Sequence, residues 1–379
     1  MGAYKPRVCI ISTSHILSNL LLGQECGLVG GAEVQQTLII RMLKDIGCEV
    51  SVMVHDLGQP DEVLTEDGTR LIKAYRSRRR LTDLVFPWTH PFWRAMKRAE
   101  ADVFYQRATG TMTGVICMLC KLLGKPFVHA TSIDLDLNGT KEAGLNPIKR
   151  IVYRYGIRNT TVVVVQTDQQ DADLRRRFGR DGVIIRNTFA LPAESSSRDP
   201  RFVIWVGSFR DHKRPGMFVD LAERLPDHEF MMIGGPFFRH PELFDQIKQR
   251  ADEMPNIKLT GMVPFEEVGG YFDKAKVFVC TSTMEGFPNT FLQSWSRGIP
   301  VVSTFDPDGT IKKHGVGRHC ENLDEIVEAV RELLADTEAY ERTSSLALQY
   351  VKQNHSREVV SARYRELIES LVPSFLIRN

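Results

Sequence analysis

Short apolar runs rich in β-branched residues recur along the chain, separated by stretches whose apolar positions return every three or four residues. The first kind of pattern predicts strands at Val8–Ser12, Glu49–Val54, Asp102–Tyr105, Phe127–His129, Thr161–Gln166 and Val183–Arg186. Five more follow at Phe202–Val206, Glu229–Ile233, Ile257–Thr260, Val277–Cys280 and Val301–Ser303. The second kind is clear in the first long helix, where Val34, Leu38 and Met42 share a face with Ile39, Leu43 and Ile46, while Gln35, Arg41, Lys44 and Asp45 are polar. Strands alternating with helices imply βαβ units and parallel sheets covered on both faces. The alternation breaks at Leu191-Pro-Ala-Glu-Ser-Ser-Ser-Arg-Asp-Pro200, which has the composition of an interdomain linker. An α/β domain over residues 1–190 and a second over 200–355 are therefore expected. Doubly wound sheets bind ligands at the carboxyl ends of their strands, so two such domains facing each other would create a cleft.

The length of 379 residues agrees with two cores rather than one. A net charge of +2 gives no electrostatic case for nucleic acid. The seven cysteines, Cys9, Cys26, Cys48, Cys117, Cys120, Cys280 and Cys320, are scattered without framework spacing, which suits a reducing compartment. Cys117 and Cys120 form a CxxC inside the apolar segment Thr111 to Leu123 and read as two buried thiols on one helix. Arg7-Val-Cys-Ile-Ile11 reads as a core strand rather than a signal peptide, and no apolar run nears the roughly 20 residues of a spanning helix. Pro6 stands where a myristoylation signal needs Ser or Thr. The chain reads as cytoplasmic, touching a membrane at most from one side.

Candidate chemistry lies in the loops after strands. The loop from Thr13 to Val29 ends in Gly30-Gly31-Ala32-Glu33 at the head of a helix, where glycines allow close backbone approach and unpaired N–H groups face an anion. After Val206 come Gly207, Ser208, Arg210, Lys213 and Arg214, cations placed where they suit a diphosphate. The sharpest site follows Val277–Cys280: Glu285, a turn at Gly286, then Phe287, Pro288, Asn289 and Thr290 leading into a helix that carries Gln293. An acidic residue beside an anion site is unfavourable unless a hydroxyl-rich or cationic group lies between them. A sugar developing oxocarbenium charge meets that need.

The ordered set Gly30-Gly31-Ala32-Glu33, Val206-Gly207 with Lys213, Gly234-Gly235, Gly261-Met-Val-Pro264, Glu285-Gly-Phe287 and Gly298-Ile-Pro-Val-Val302 resembles the bacterial group-1 glycosyltransferases. Those are retaining enzymes of the GT-B fold in carbohydrate-active family four, and the resemblance spans about residues 7 to 370. It implies a metal-independent transfer from a nucleotide diphosphate sugar to a carbohydrate, lipid-linked or small-molecule acceptor, with no cofactor. It places the donor in the C-terminal domain and the acceptor mainly in the N-terminal one. The last helix, from about Ser356 through Leu371 toward residue 379, is expected to cross back onto the N-terminal domain. By position, Lys213 with Arg210 would neutralise the diphosphate and Glu285 would contact the transferred sugar. Gly207, Ser208, Gly234 and the backbone after Gly286 would line the donor. Gly261, Met262 and Val263 would flank the base, while Gly30 and Gly31 would close over the phosphates. Arg107, Ser132 and Asp134 fall on the acceptor side.

Three positions depart from the family pattern. Ser208 stands where Arg is common, with Arg210 two residues on. Ser132 stands where a His is common, with Asp134 nearby. Gln293 replaces the second Glu, which normally grips the ribose hydroxyls. A nucleotide-sugar epimerase shares this fold, and a non-catalytic binding subunit would accommodate Ser208 and Gln293, although retention of Lys213 and Glu285 argues against it. Asp134-Leu-Asp136 and Asp306-Pro-Asp308 match the DxD spacing of metal-dependent transferases, but two carboxylates so spaced are common in loops. The basic and aromatic stretch Tyr75 to Arg98, with Arg78, Arg79, Arg80, Trp88, Phe92 and Trp93, could dock on anionic lipid. Its second half reads as a helix packing Trp93 and Met96 inward.

Overall fold

The computed structural model of the chain describes residues 4–12, 14–24, 30–75, 89–189, 199–237 and 241–373. Parts of the first glycine-rich loop, the stretch 76–88 with Arg78, Arg79, Arg80 and Trp88, and the linker residues 191–198 lie outside the described residues. The chain forms two compact units. One contains the residues up to Arg186 and those from Glu358 onward; the other is Asn187–Arg357.

The first unit holds β1 (Arg7–Ile11), β2 (Glu49–His55), β3 (Glu62–Leu64), β4 (Arg70–Tyr75), β5 (Val103–Arg107), β6 (Phe127–Ala130), β7 (Val162–Val165) and β8 (Val183–Ile184). Their order is β3-β4-β2-β1-β5-β6-β7-β8, parallel except for the β3–β4 pair. Alternation along the strands fills two apolar layers. Val8 and Ile10 face one way, with Ile39 and Leu43 of the helix Gly31–Asp45. Cys9 and Ile11 face the other way, with Phe92, Met96, Ile116 and Cys117. The helix Arg357–Leu371 returns to this unit and lays Val360, Tyr364, Leu367 and Ile368 into the first layer, where the Tyr364 and Tyr105 hydroxyls lie 3.1 Å apart.

The second unit holds β9 (Phe202–Val206), β10 (Phe230–Ile233), β11 (Ile257–Leu259), β12 (Ala275–Cys280), β13 (Val301–Ser303) and β14 (Gly317–His319), all parallel in the order β11-β10-β9-β12-β13-β14. Val203 and Trp205 face helices Pro215–Arg224, Pro241–Asp252 and Leu323–Ala335. Phe202 and Ile204 face Phe272, Phe291, Trp295 and Tyr350.

All eleven strands expected from the apolar runs are present. Three others have no such run. β3 and β4 form an edge hairpin interleaved with Glu62, Arg70 and Lys73, and β14 is Gly-Arg-His, held by backbone pairing to Val301–Ser303. A Cβ on Gly317 would lie 1.9 Å from the Val301 carbonyl oxygen, so that edge admits only glycine. The expectation that Gln35 lies on a polar face fails: Gln35 and Gln36 are both buried within their helix.

Candidate functional site

In the second unit the strand order turns at β9, which lies between β10 and β12. Such a switch point opens a crevice at the carboxyl ends of the two strands where the chain departs in opposite directions. The loops there are Gly207–Arg214 and Thr281–Pro288, and they are sewn together. The Trp205 indole N–H donates to Thr281 Oγ1 (3.1 Å), and that hydroxyl donates to the Lys213 carbonyl (2.6 Å). The Thr283 N–H donates to the His212 carbonyl (2.8 Å). Arg214 adopts φ +46°, a conformation non-glycine residues rarely hold unless their surroundings fix it. Its guanidinium supplies the fixing, donating to the Thr281 carbonyl and to Thr304 Oγ1, each at 2.7 Å. Arg214, read from the sequence as one of the phosphate-facing cations, is therefore a fastener between the loops.

That lacing brings the Lys213 ammonium onto the Glu285 carboxylate as an ion pair. Both side chains keep some contact with solvent, 22% and 14% of their surface, so a ligand can reach them. Arg210 is stacked over the Phe237 ring, 4.0 Å from its centroid, on the same loop. His212 is held below the usual imidazole range, first by burial and then by the Lys213 charge. Ser208 is half-buried between Gly207 and Phe209.

Backbone packing sets the neighbouring wall. Gly234 sits at φ +152° with its Cα so close to Gly207 that a Cβ would fall 1.7 Å from the Gly207 oxygen. Only glycine at 234 lets β9 and β10 end side by side, with Gly207 N–H donating to Ile233 and Gly234 N–H to Gly261. Gly235 leaves room for Met262, whose Cγ would be 2.2 Å from a Cβ there. Met262 is 56% exposed beyond β11, and Val263 is partly buried against the core.

Gly286, Phe287 and Pro288 are buried, and the helix begins at Asn289 as its sequence suggests. Asn289 and Thr290 open its first turn, with Pro288 as the N-cap. Phe287 points its ring into the core, against His355 at 4.7 Å and Trp295 at 6.2 Å, leaving its backbone to the loop. Gln293 is 5% exposed, and its Oε1 is buried without a hydrogen-bond donor among the described residues.

Two residues that motif reading missed hold this loop. The Asn187 amide donates to the Phe287 carbonyl (3.1 Å) and to Asn289 Oδ1 (3.2 Å). The Asn187 carbonyl lies 2.7 Å from His355 Nδ1, and Thr188 Oγ1 donates to the His355 carbonyl (2.8 Å). Asn187 and His355 stand where the chain enters and is about to leave the second unit. No local motif marks them, because Asn187 meets Phe287 across 100 residues and His355 across 168.

In the first unit, Gly30 is the N-cap and Gly31 the first residue of the helix Gly31–Asp45. Glu33 folds back over them: a Cβ on Gly30 would be 2.5 Å from its Oε2, and the Ser14 hydroxyl donates to its Oε1 (2.7 Å). An anion approaching this helix end meets a carboxylate first. Arg107 is buried at the end of β5. Ser132 donates both its N–H and its hydroxyl to Asp136, and Asp134 accepts from Gln170 (2.8 Å). Asp136, wholly buried, also pairs with Lys141, and Asp306 accepts from the N–H groups of Ile311 and Lys312. Asp134, Asp136 and Asp306 thus serve loop architecture. Among the described residues no group of three or more His, Cys, Asp or Glu side chains is placed to hold a metal. Cys117 and Cys120 are buried free thiols on one helix, as their spacing suggests. Met96 and Phe92 face the core, while Trp93 is only partly buried, under Lys97. No described helix is long and apolar enough to cross a membrane.

Two Rossmann-like units, with a laced cation–carboxylate pair at the switch point of the second, define the GT-B class of α/β protein. Solved structures share that fold over nearly the whole chain. Sucrose-phosphate synthase from Thermosynechococcus elongatus superposes with a TM-score of 0.77 at 16% identity, covering 98% of this chain and 100% of that one. Anabaena HepE, solved with UDP and glucose, gives 0.74 at 15% identity over 96% and 99% of the two chains. Residues 30–188 match the glycosyl transferase 4-like domain, and residues 200–336 match the glycosyl transferases group 1 domain. Matched in this way in both halves, the chain belongs to the glycosyltransferase family those domains describe. The lipopolysaccharide core biosynthesis glycosyltransferase LpsE of Rhizobium meliloti is 24% identical over 183 residues, 45% of this chain and 51% of the relative. The chain spans about half the length, or less, of the curated relatives it matches.

Proposed function

We propose that the chain is a retaining glycosyltransferase that moves a sugar from a nucleotide diphosphate sugar to a carbohydrate, lipid-linked or small-molecule acceptor without a metal ion. The observation that carries this reading is the Lys213–Glu285 pair at the switch point of the second unit. A diphosphate entering there would take the Lys213 ammonium, and Arg210 adds a second cation. Glu285 would then be left against the sugar, where a carboxylate stabilises oxocarbenium character. The N–H groups of Asn289 and Thr290 suit the phosphate oxygens, and Met262 offers an apolar surface to the base. Buried Oε1 of Gln293 would gain its missing donor from a ribose hydroxyl. In the step itself the bond from the anomeric carbon to the phosphate oxygen breaks as the acceptor oxygen bonds to the same face. The acceptor's proton leaves with the phosphate. The work is then positioning and electrostatic stabilisation of the leaving group. The membership of both halves in glycosyltransferase domains favours transfer over epimerisation. HepE, solved with UDP and glucose, makes UDP-glucose a natural first donor to try.

The test is slow donor hydrolysis followed by proton NMR in excess EDTA. The account expects hydrolysis undiminished by EDTA, with the first-formed sugar keeping the donor's anomeric configuration. An inverted product or a strict metal requirement would overturn the mechanism, and reversible stereochemical change without nucleotide release would make the protein an epimerase.

A further inference from the structure

The loop 281–288 is fastened at both ends, and Glu285 stands between the fastenings. Its first half is held by the Trp205 indole, the Arg214 guanidinium and the His212 carbonyl. Its second half ends at Phe287, two residues past Glu285. Phe287, His355, Tyr350 and Trp295 form a closed circuit of ring contacts. Taken in turn around it, the centroids are 4.7, 5.3, 5.4 and 6.2 Å apart. All four side chains are buried, Trp295 and His355 completely. Such packing seats the Phe287 ring, but a seated ring still lets its main chain tip. The main chain is set instead by the Asn187 amide, which donates to the Phe287 carbonyl and to Asn289 Oδ1.

Asn187 is in turn placed by His355. His355 caps the helix Thr337–Asn354, its N–H donating to the Val351 carbonyl (2.8 Å) and its carbonyl accepting from Thr188 Oγ1 (2.8 Å). The imidazole is therefore anchored at its root. Its Nδ1 lies 2.7 Å from the Asn187 carbonyl and its Nε2 3.3 Å from the Tyr350 hydroxyl. A carbonyl oxygen only accepts, so Nδ1 carries the proton. In the neutral ring Nε2 then keeps its lone pair and accepts from Tyr350. The other tautomer would set a bare nitrogen against the carbonyl, two lone pairs facing each other.

We propose that His355, as the Nδ1–H tautomer, is the positioning residue for Glu285. Through Asn187 it fixes the main chain at Phe287 and Asn289. With the Thr281 end already tied, Glu285 is held against Lys213. His355 is wholly buried and out of reach of a substrate, so it acts only through this chain of contacts. The proposal rests on the glycosyl-transfer reading of the Lys213–Glu285 site. In that reading Glu285 meets its partner charge chiefly in the transition state. A loosened loop should therefore slow turnover more than it weakens donor binding.

Two substitutions separate the hydrogen bond from the ring. His355→Phe keeps a ring in the circuit but cannot donate to Asn187. His355→Asn gives up the ring and keeps an amide N–H near the Nδ1 position. In donor hydrolysis, His355→Phe should lower kcat about tenfold while KM changes by less than about threefold, as for a misplaced catalytic group. His355→Asn should recover kcat to within about threefold of the parent, although the lost ring lowers its melting temperature. Activity that simply follows melting temperature across parent and variants, or full activity in His355→Phe, would overturn the proposal. Hydrogen exchange without donor reads the same claim independently of the reaction. Amides of residues 284–292 should exchange about tenfold faster in His355→Phe, with His355→Asn near the parent. Equal exchange in all three proteins would overturn the proposal. A parent that hydrolyses no donor while exchange behaves as expected would overturn the glycosyl-transfer reading and leave the His355 clamp on the loop standing.

Discussion

At the carboxyl ends of β9 and β12, Lys213 and Glu285 meet with part of each side chain still open to solvent. At the carboxyl ends of β5 and β6, Arg107 and Asp136 are buried, and Ser132 and Asp134 spend their hydrogen bonds on Asp136 and Gln170. The two sheets are alike in kind, yet one ends in an ion pair still partly open to solvent and the other in a network around a wholly buried carboxylate. The second arrangement fixes loop shape.

The contrast is broken most easily at Lys213. Replacing it with Ala should cost about 2–4 kcal/mol of transition-state stabilisation, the scale of losing one preorganised electrostatic group, read as the rate of donor hydrolysis. Asp134→Asn should leave that rate unchanged. Equal losses at the two sites would erase the distinction between the units.

The polar interior of the first unit has its own signature in pH. His129 is wholly buried beside Thr109, and burial pushes its imidazole down to about 4. The unfolded chain takes up that proton near 6.5. The group's folded value is depressed, so its stabilising effect is complete above pH 6.5 and lost as pH falls toward 4, amounting to roughly 3 kcal/mol. Melting temperatures measured over that range should fall for the parent and fall less for His129→Asn. His55, also pushed down to about 4, would leave a residual slope.

A smaller effect is expected where the second unit's loop is tied down. Asn187→Ala removes both bonds to Phe287 and Asn289 and should cost about 1–3 kcal/mol, because a buried carbonyl loses its donor. Donor affinity should fall with it, while Asn187→Ser restores part. The smallest effect has the opposite sign. Gln293→Glu gives the ribose a charged acceptor in place of a neutral one and should tighten ribonucleotides by about 1 kcal/mol, or roughly five-fold. Donors lacking the 2′-hydroxyl should gain less. Weaker binding throughout would mean that Gln293 does not face the ribose.

Much of this was legible in the chain because parallel strands are buried on both faces and announce themselves as apolar runs. Edge strands such as Gly317–His319 are not buried that way, and they were invisible. Lys213 and Glu285 could each be singled out because each follows a readable strand and matches the resembled family's pattern, but that they meet as a pair shows only in the strand order. The role of Arg214 could not, since it depends on Thr281 and Thr304, residues 67 and 90 positions away. Asn187 and His355 were hidden for the same reason. The polar face expected of the first helix misled at Gln35, where tertiary burial overrides the residue type.

In the proposed function, the laced site of the second unit holds a nucleotide diphosphate sugar through Lys213. Isothermal titration of the chain and of Lys213→Ala against UDP-, GDP-, ADP- and TDP-sugars tests it most directly. At least one donor should bind the parent, and the variant, melting at the same temperature, should bind it about tenfold or more weakly, as expected for a lost charge-assisted contact. Failure of every donor to bind, or equal binding by parent and variant, would contradict it.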